Sequence, residues 1–256
     1  MKYKIRDKYA HLSEFSLNLP GTFHGMGGTI RDYRNVIKIV DIGDEQLVVK
    51  NFRGMYFFNR LAYSLFRKSK AVRSYEYSER LNDHGIKTPA HVAWINCYSL
   101  GLLTESFFVS VYCPWPTLER CMEGFDAMND RQVSILRHLA TFTHRLHELG
   151  IFHFDFSVGN ILVREADDSF DFALLDLNRI KFGTVKSGFR NFSTLNLPQE
   201  AMDILVRAYA AETGADPGAM VERFWRYKHR KAALRRWRKA LRNRTLTPLE
   251  KFLKKK

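Results

Sequence analysis

Residues 151–163 of this chain are IFHFDFSVGNILV, and residues 174–178 are LLDLN. Three polar side chains, Asp155, Asn160 and Asp176, interrupt strongly apolar surroundings in these two stretches. Residues 160–163 and 172–175 are short apolar pieces that indicate strands, and Asp155 falls in a loop that follows a predicted helix. The stretch therefore predicts a core framework that holds carboxylate and amide groups close together.

The regions on either side support this interpretation. Residues 130–149 carry apolar side chains at helical spacing, beginning at Asp130 and closed by Gly150. Two short apolar pieces flank the polar turn 165–169, which predicts a small β-hairpin. From Leu197 onward the pattern is again helical. The second half of the chain is thus predicted to be mainly helical.

The first part of the chain has a different character. Strands are predicted at 34–40, 45–52, 91–96 and 107–113, and a helix at 57–84. The break at Pro114-Trp115-Pro116 ends the last strand. We therefore predict an α+β protein of two unequal lobes, a β-rich N-terminal lobe at 1–113 and a helical C-terminal lobe at 114–256.

Composition excludes several classes of protein. The chain has 256 residues with 45% hydrophobic side chains, which is enough for a packed core. It has no apolar run long enough for a membrane span and no signal-peptide pattern, so a cytoplasmic location is expected. Its three cysteines, Cys97, Cys113 and Cys121, have no CxxC spacing and predict neither disulfides nor a zinc site.

The positive charge is concentrated at one end. The net charge is +14, yet residues 221–256 alone hold fifteen Lys and Arg against two acids. Leu234, Trp237 and Leu241 recur there at helical spacing among the cations. Such a helix suits an anionic membrane surface. A solvated helix packed on the lobe is the second interpretation, and nucleic acid is the third.

The polar residues of the central stretch match the requirements of phosphoryl transfer from ATP. That reaction depends mainly on positioning and on charge neutralisation. Asp155 is a candidate to orient or deprotonate the acceptor hydroxyl, whereas Asn160 and Asp176 offer the oxygen ligands that Mg²⁺ prefers. His153 is interpreted as a hydrogen-bonded scaffold residue and not as a proton carrier.

A cation for the non-transferred phosphates is found earlier in the chain. Lys50 ends an apolar run inside the second predicted strand. Glu76, on the helix that follows, is the candidate ion-pair partner for Lys50. Glu79 lies one helical turn further and is the alternative partner.

These strings resemble the catalytic loop and the metal-binding turn of the protein-kinase-like superfamily. Within it the chain is most similar to the bacterial lipopolysaccharide kinase family, which phosphorylates Kdo or heptose of the inner core, in its Bacteroidetes-type branch. RNVIKIV, VVKNFRG, RLAYSLFRKSKAVRSYE, HGIKTP, LDLNRIKFG and RNF add to the resemblance. It extends over about residues 29–192.

The resemblance implies a bilobal kinase fold with ATP between the lobes. It makes Lys50 the phosphate lysine, Glu76 its partner, Asp155 the base, and Asn160 and Asp176 the Mg²⁺ ligands. It also places Tyr112 and Cys113 at the hinge, where backbone groups would meet adenine.

The chain departs from the protein-kinase pattern at three places. No GxGxxG occurs between the first two strands, since Gly25, Gly27 and Gly28 come before them. Phe154 replaces the usual Arg, and Ser157 stands where Lys is common. Because Ser157 supplies no charge in place of that Lys, another cation is expected to help neutralise the transferred group, with Arg179 and Lys181 as the candidates.

The expected function is ATP- and Mg²⁺-dependent phosphorylation of a sugar hydroxyl in the lipopolysaccharide inner core, at the inner face of the bacterial inner membrane. The inner-core glycolipid is the expected partner, and its acidic groups would match the tail 221–256. One alternative is a kinase for another small hydroxyl compound, such as an aminoglycoside or choline, or for protein. Another is a pseudokinase that binds membrane or nucleic acid through the basic tail.

Overall fold

The computed structural model describes residues 1–32, 35–52, 67–124, 128–167 and 169–245, with side chains to residue 241. The strands are β1 (Lys2–Ile5), β2 (Gly28–Asp32), β3 (Val36–Ile42), β4 (Glu45–Asn51), β5 (His91–Ser99), β6 (Leu102–Val111), β7 (Ile151–His153), β8 (Ile161–Ala166), β9 (Ser169–Leu174) and β10 (Ile180–Phe182). The α-helices are α1 (Ser13–Thr22), α2 (Lys70–Asp83), α3 (Leu118–Cys121), α4 (Asp130–Glu148), α5 (Gln199–Glu212) and α6 (Pro217–Thr245).

One antiparallel sheet of six strands, in the order β1-β5-β6-β4-β3-β2, forms the N-terminal part. The strands predicted at 34–40 and 45–52 are confirmed and form the β3–β4 hairpin, which turns at Gly43 with a positive φ of 58°. Ile37 lies opposite Lys50, so the lysine projects from the middle of the sheet. No element was predicted before residue 34, and the structure adds β1 and β2 at the two edges together with α1.

Helix α2 covers the later part of the predicted helix 57–84, and residues 57–66 lie outside the described residues. The helix begins after Ser69, whose hydroxyl accepts a hydrogen bond from the Val72 amide at 3.2 Å. This contact satisfies one of the unpaired amides of the first turn. The helix ends before Gly85, which has φ +66°, as predicted from the sequence.

The C-terminal part is built on helices. Helix α4 starts with a capping box in which Asn129 and Gln132 exchange side-chain to backbone hydrogen bonds. The predicted β8–β9 hairpin is confirmed, with Ile161 opposite Leu174. A second small sheet, β7 with β10, was not predicted because three-residue strands carry little periodicity.

Two clusters of buried apolar side chains stabilise the molecule. One lies under the large sheet and contains Leu47, Val49 and Phe107, and the other joins α4, α5 and β8 through residues such as Leu139 and Leu205. The predicted lobe boundary at residues 113 and 114 remains a prediction. No helix among the described ranges is long and apolar enough to cross a membrane.

Candidate active site

His153, at the end of β7, fixes the loop that follows it. Its Nε2 donates to the Leu175 carbonyl at 2.9 Å, and its Nδ1 accepts the Asp155 amide at 3.1 Å. Only the neutral ring with its proton on Nε2 makes both bonds. The ring is 1% exposed, and burial lowers its pKa. His153 therefore joins the Asp155 loop to the end of β9 as a scaffold.

The backbone of Asp155 is the centre of a compact turn. Its carbonyl accepts the Ser157 amide at 2.8 Å and Nδ2 of Asn160 at 2.9 Å. The Asn160 carbonyl in turn accepts the Leu175 amide at 2.9 Å. Because Nδ2 of Asn160 is held in this way, Oδ1 is the acceptor atom that the amide can present to a ligand.

Asp176 follows β9 in a left-handed backbone conformation, with φ 53° and ψ 46°. A non-glycine residue pays about 1 kcal/mol or more for this region, which is typical of functional sites. Its Oδ1 accepts Nδ2 of Asn178 at 2.7 Å and contacts the ammonium group of Lys50. Burial acts to raise the pKa of Asp176, but the Lys50 charge and hydrogen bond outweigh it and the pKa is lowered. Asp176 is thus an ionised carboxylate.

The predicted ion pair between Lys50 and Glu76 is wrong in this structure. Glu76 pairs with Lys68 at 2.6 Å, and the alternative partner Glu79 pairs with Lys4 at 2.8 Å. The side chains of both glutamates are 37% exposed, whereas that of Lys50 is only 15% exposed. A buried ammonium needs a buried counter-charge, and Asp176 supplies it.

Arg179 lies between the two carboxylates of the site. Its Nε is 3.7 Å from Oδ2 of Asp155 and 4.0 Å from Oδ2 of Asp176. Its carbonyl accepts the Phe154 amide at 3.1 Å, which joins it to the loop of Asp155. Of the two candidates for charge stabilisation, Arg179 is the one that lies within 4.0 Å of both carboxylates among the described residues. Lys181 lies on β10 and lines a neighbouring pocket.

Lys70, the first residue of α2, is a cation that the sequence analysis missed. Its ammonium lies 5.7 Å from the centre of the Phe52 ring, and that of Lys50 lies 5.2 Å from the same ring. Burial and then the Lys50 charge lower the pKa of Lys70. Its only sequence signal was a place in the basic run Arg67 to Lys70, because the approach to Lys50 depends on how α2 packs.

Tyr112 and Cys113, for which a hinge role is predicted from the resemblance, directly follow β6. The Tyr112 amide donates to the Gln46 carbonyl at 2.8 Å, so Tyr112 can offer adenine its carbonyl but not its N–H. Cys113 beside it is half-buried, and burial raises the pKa of its thiol.

Gly27, in the segment just before β2, has a structural role. A Cβ on Gly27 would lie 2.2 Å from the Ile39 carbonyl oxygen, and Gly27 has φ +59°. The buried Lys38 ammonium donates to the carbonyls of His24 and Met26 at 2.9 and 2.7 Å. These contacts fasten the segment to β3. The turn between β2 and β3 includes residues 33 and 34, which lie outside the described residues.

The donor set suits Mg²⁺ with few protein ligands. Asp176 offers an ionised carboxylate and Asn160 an amide oxygen, the two groups that kinases use, while phosphates and water complete the shell. Within the described ranges no three His, Cys, Asp or Glu side chains form a metal-binding group. Among the described side chains, the two-ligand arrangement is therefore the candidate Mg²⁺ site.

The strand lysine, the loop from Asp155 to Asn160 and the aspartate after β9 define the class: a protein-kinase-like phosphotransferase. The model of the lipopolysaccharide kinase (Kdo/WaaP) family matches residues 28–203. The chain belongs to this family, and it is a kinase of core lipopolysaccharide that uses ATP. The predicted enzyme class is thereby confirmed, whereas the Bacteroidetes-type branch stays a prediction.

A solved structure supports the same fold. WaaP in complex with acyl carrier protein is similar to this chain with a TM-score of 0.63 and 16% sequence identity. The similarity covers 90% of this chain and 99% of that chain. The predicted bilobal kinase fold is confirmed by this match. No curated protein sequence matches the chain significantly.

Proposed function

We propose that this kinase transfers the terminal phosphoryl group of ATP to a sugar hydroxyl, of Kdo or heptose, in the lipopolysaccharide inner core. The observation that carries the proposal is the convergence of Asp155 and Asp176 on Arg179, with Lys50 paired to Asp176. A carboxylate for the acceptor and a carboxylate with cations for the phosphates are thereby placed side by side.

Each residue has one task in this reaction. Asp155 accepts the proton of the sugar hydroxyl while the hydroxyl oxygen bonds to the terminal phosphorus of ATP. The bond between that phosphorus and the ADP oxygen breaks at the same time. Lys50 and Lys70 neutralise the phosphates that remain on ADP. Arg179 faces the charge that spreads over the transferred group. Because Phe154 carries no charge, the cation beside Asp155 is Arg179, whose Nε lies 3.7 Å from Oδ2 of Asp155.

Asp176 and Asn160 would hold the Mg²⁺ ion. Bound there, Mg²⁺ would supply positive charge that neutralises the phosphates of ATP. The ionised state of Asp176, which Lys50 maintains, makes the carboxylate ready for it. Lys50 then has phosphate oxygens as an alternative partner.

The test is phosphate transfer to purified inner-core glycolipids that end in Kdo or in heptose, measured by mass spectrometry. We expect Asp155→Asn to lower kcat by about 100-fold or more. Asp83→Asn, which removes an exposed carboxylate at the end of α2, is the matched control and should leave kcat unchanged. Undiminished turnover of Asp155→Asn would refute the role of Asp155. Failure of the wild-type protein to modify either acceptor would refute the sugar assignment.

We also propose that helix α6 attaches the protein to the inner face of the bacterial inner membrane. Leu234 and Trp237 are 45% and 60% exposed on a helix that is rich in exposed arginine. Apolar side chains among cations favour the interface of an anionic bilayer. A protein partner, such as the acyl carrier protein in the WaaP complex, is the competing occupant of this helix.

A vesicle-binding assay distinguishes membrane attachment of helix α6 from binding of a protein partner. The protein should sediment with vesicles that contain phosphatidylglycerol and much less with phosphatidylcholine alone, because the helix is cationic. The double variant Leu234→Ser with Trp237→Ser should lose this binding. Leu100→Ser removes a leucine that is 99% exposed in the β5–β6 turn, and it should bind like wild type. Equal binding of the double variant, or binding of acyl carrier protein alone, would contradict membrane attachment.

A further inference from the structure

A pocket of about 430 Å³ opens beside the catalytic loop. Its walls come from the loop after His153, from residues 181–194 and from helix α6. Among the described residues, four cations line it, Lys181, Lys186, Arg190 and Lys231, and no Asp or Glu does. The pocket is therefore a positively charged recess next to the residue that faces the acceptor.

Contacts hold two of these cations in place. The Lys231 ammonium donates to Oγ of Ser193 at 2.7 Å, and Ser193 donates to the Arg190 carbonyl at 2.7 Å. The Arg190 guanidinium lies 5.2 Å from the Tyr227 ring centre, and the Lys231 ammonium lies 5.9 Å from it. Arg190 and Lys231 are therefore positioned on opposite elements of the pocket around one aromatic ring.

Asn191 indicates that something polar binds here. It lines the pocket, it is 1% exposed, and neither Nδ2 nor Oδ1 has a hydrogen-bond partner among the described residues. A buried amide without partners is costly, and in native proteins such a group calls for an explanation. A ligand with an acceptor and a donor, as a sugar has, would satisfy both atoms.

The pocket is tied to the catalytic loop. Oγ1 of Thr194 donates to the Phe156 carbonyl at 2.8 Å, and Lys181 pairs with Phe152 across β7 and β10. Phe154, directly before Asp155, is 57% exposed at the rim and presents an aromatic face. A sugar ring that packs on Phe154 would bring its hydroxyls toward Asp155.

We propose that this pocket is the acceptor subsite and that it recognises an acidic sugar, through a carboxylate or phosphate held by Arg190 and Lys231. The inference rests on the proposed function, since it assigns the acceptor of that reaction. Arg190, Asn191 and Phe192 form the RNF string of the sequence, which the catalytic residues left without a role. Arg190 and Lys231 bind the anion, and Asn191 hydrogen-bonds the ring.

Binding without catalysis tests this. Isothermal titration of the full-length protein with glucose 6-phosphate, glucuronate and glucose compares phosphate, carboxylate and no charge on closely related rings. We expect at least one of the two acidic sugars to bind and glucose to bind about tenfold more weakly or not at all. The stronger acidic sugar identifies the anion. The proposal would be overturned if glucose bound as tightly as the acidic sugars. It would also be overturned if inorganic phosphate bound as tightly as glucose 6-phosphate.

Variants locate the site. Arg190→Gln and Lys231→Gln should each weaken binding of the acidic sugar by about tenfold, with Arg137→Gln on the exposed face of α4 as the unchanged control. Asn191→Leu should keep or raise the Tm while it weakens binding, since it removes unpaired polar atoms. If all three pocket variants bound the acidic sugar as tightly as the wild-type protein, the proposal would be overturned. These results do not depend on turnover, so they stand apart from the glycolipid assay.

Kinetics provide the second readout. With the inner-core glycolipid, Arg190→Gln and Lys231→Gln should raise the KM for the acceptor by about tenfold and leave the KM for ATP unchanged. A merely structural role would change both constants together with the Tm. If no variant or wild-type protein turns over this acceptor, the proposed function fails while the binding result still decides the pocket.

Discussion

The ammonium group of Lys50 on β4 contacts Oδ1 of Asp176 after β9, although the two residues are 126 positions apart. The contact links the large sheet to the segment that follows the β8–β9 hairpin. It also helps to explain the lowered pKa of Asp176, because burial acts to raise this pKa but the Lys50 charge and hydrogen bond, together with the Arg179 charge, act against it. Lys50, which would hold the ATP phosphates, is thereby paired with Asp176, which would hold the metal.

Replacement of Lys50 should stop catalysis with little change in the fold. Lys50→Met removes the phosphate cation, and we expect kcat/KM to fall by about 100-fold or more in the glycolipid assay. Lys87→Met is the matched control, because it removes another lysine-to-aspartate pair, with Asp171 at 2.7 Å, on the surface. Its kcat/KM should stay within about twofold of wild type. Equal losses in the two variants would show that Lys50 acts only through stability.

Lys70 should contribute to ATP binding. Lys70→Gln removes the second ammonium beside Lys50, and we expect the KM for ATP to rise by about tenfold with a smaller change in kcat. Lys68→Gln, two residues earlier and 63% exposed, is the control and should leave the KM for ATP unchanged. An unchanged KM in Lys70→Gln would remove Lys70 from the site.

Arg179 should act on kcat. Because it faces both Asp155 and Asp176, Arg179→Met is expected to lower kcat by about tenfold while the KM for ATP changes little. Arg164→Met removes an arginine of similar exposure that pairs with Asp171, and it should leave kcat unaltered. If Arg179→Met instead raised only the KM for the acceptor, Arg179 would belong to the acceptor site.

The stability of the protein should fall as the pH is lowered from 6.5 toward 4. Burial lowers the pKa of His147 from 6.5 to about 4, with a smaller contribution from the nearby His144. Between pH 6.5 and pH 4 the unfolded state therefore binds a proton at His147 that the folded state does not bind. Neutral His147 makes its full contribution to the free energy of unfolding above pH 6.5, and about 2 kcal/mol of this contribution is lost by pH 5.

Thermal unfolding at pH 7 and pH 5 measures this effect. His147→Gln retains an acceptor for the Tyr209 hydroxyl, which donates to His147 Nδ1 at 2.8 Å, and it cannot titrate. The Tm should therefore fall less between the two pH values in His147→Gln than in wild type. His11→Gln, on the surface with its side chain 59% exposed, is the control and should follow wild type. An identical Tm change in all three proteins would contradict the assignment.

The local parts of this site were readable from the chain. The spacing from Asp155 to Asn160 and then to Asp176 predicted a loop, a hairpin and a carboxylate after it, and all three are found. The ends of α4 and α2 were readable too, because caps and glycines act within a few residues. The partner of Lys50 could not be predicted from the sequence, because the register of β4 and the packing of α2 decide which carboxylate reaches the ammonium.

The sequence alone therefore determined the kinase class, the catalytic loop and the concentration of charge near the C-terminus, since these depend on residue type and short spacing. The tertiary structure decided that Asp176 neutralises Lys50, that Lys70 joins it, and that the RNF segment meets α6 around a basic pocket. Those relationships join elements far apart in the chain. Burial and charge pairing select them only after the core has packed.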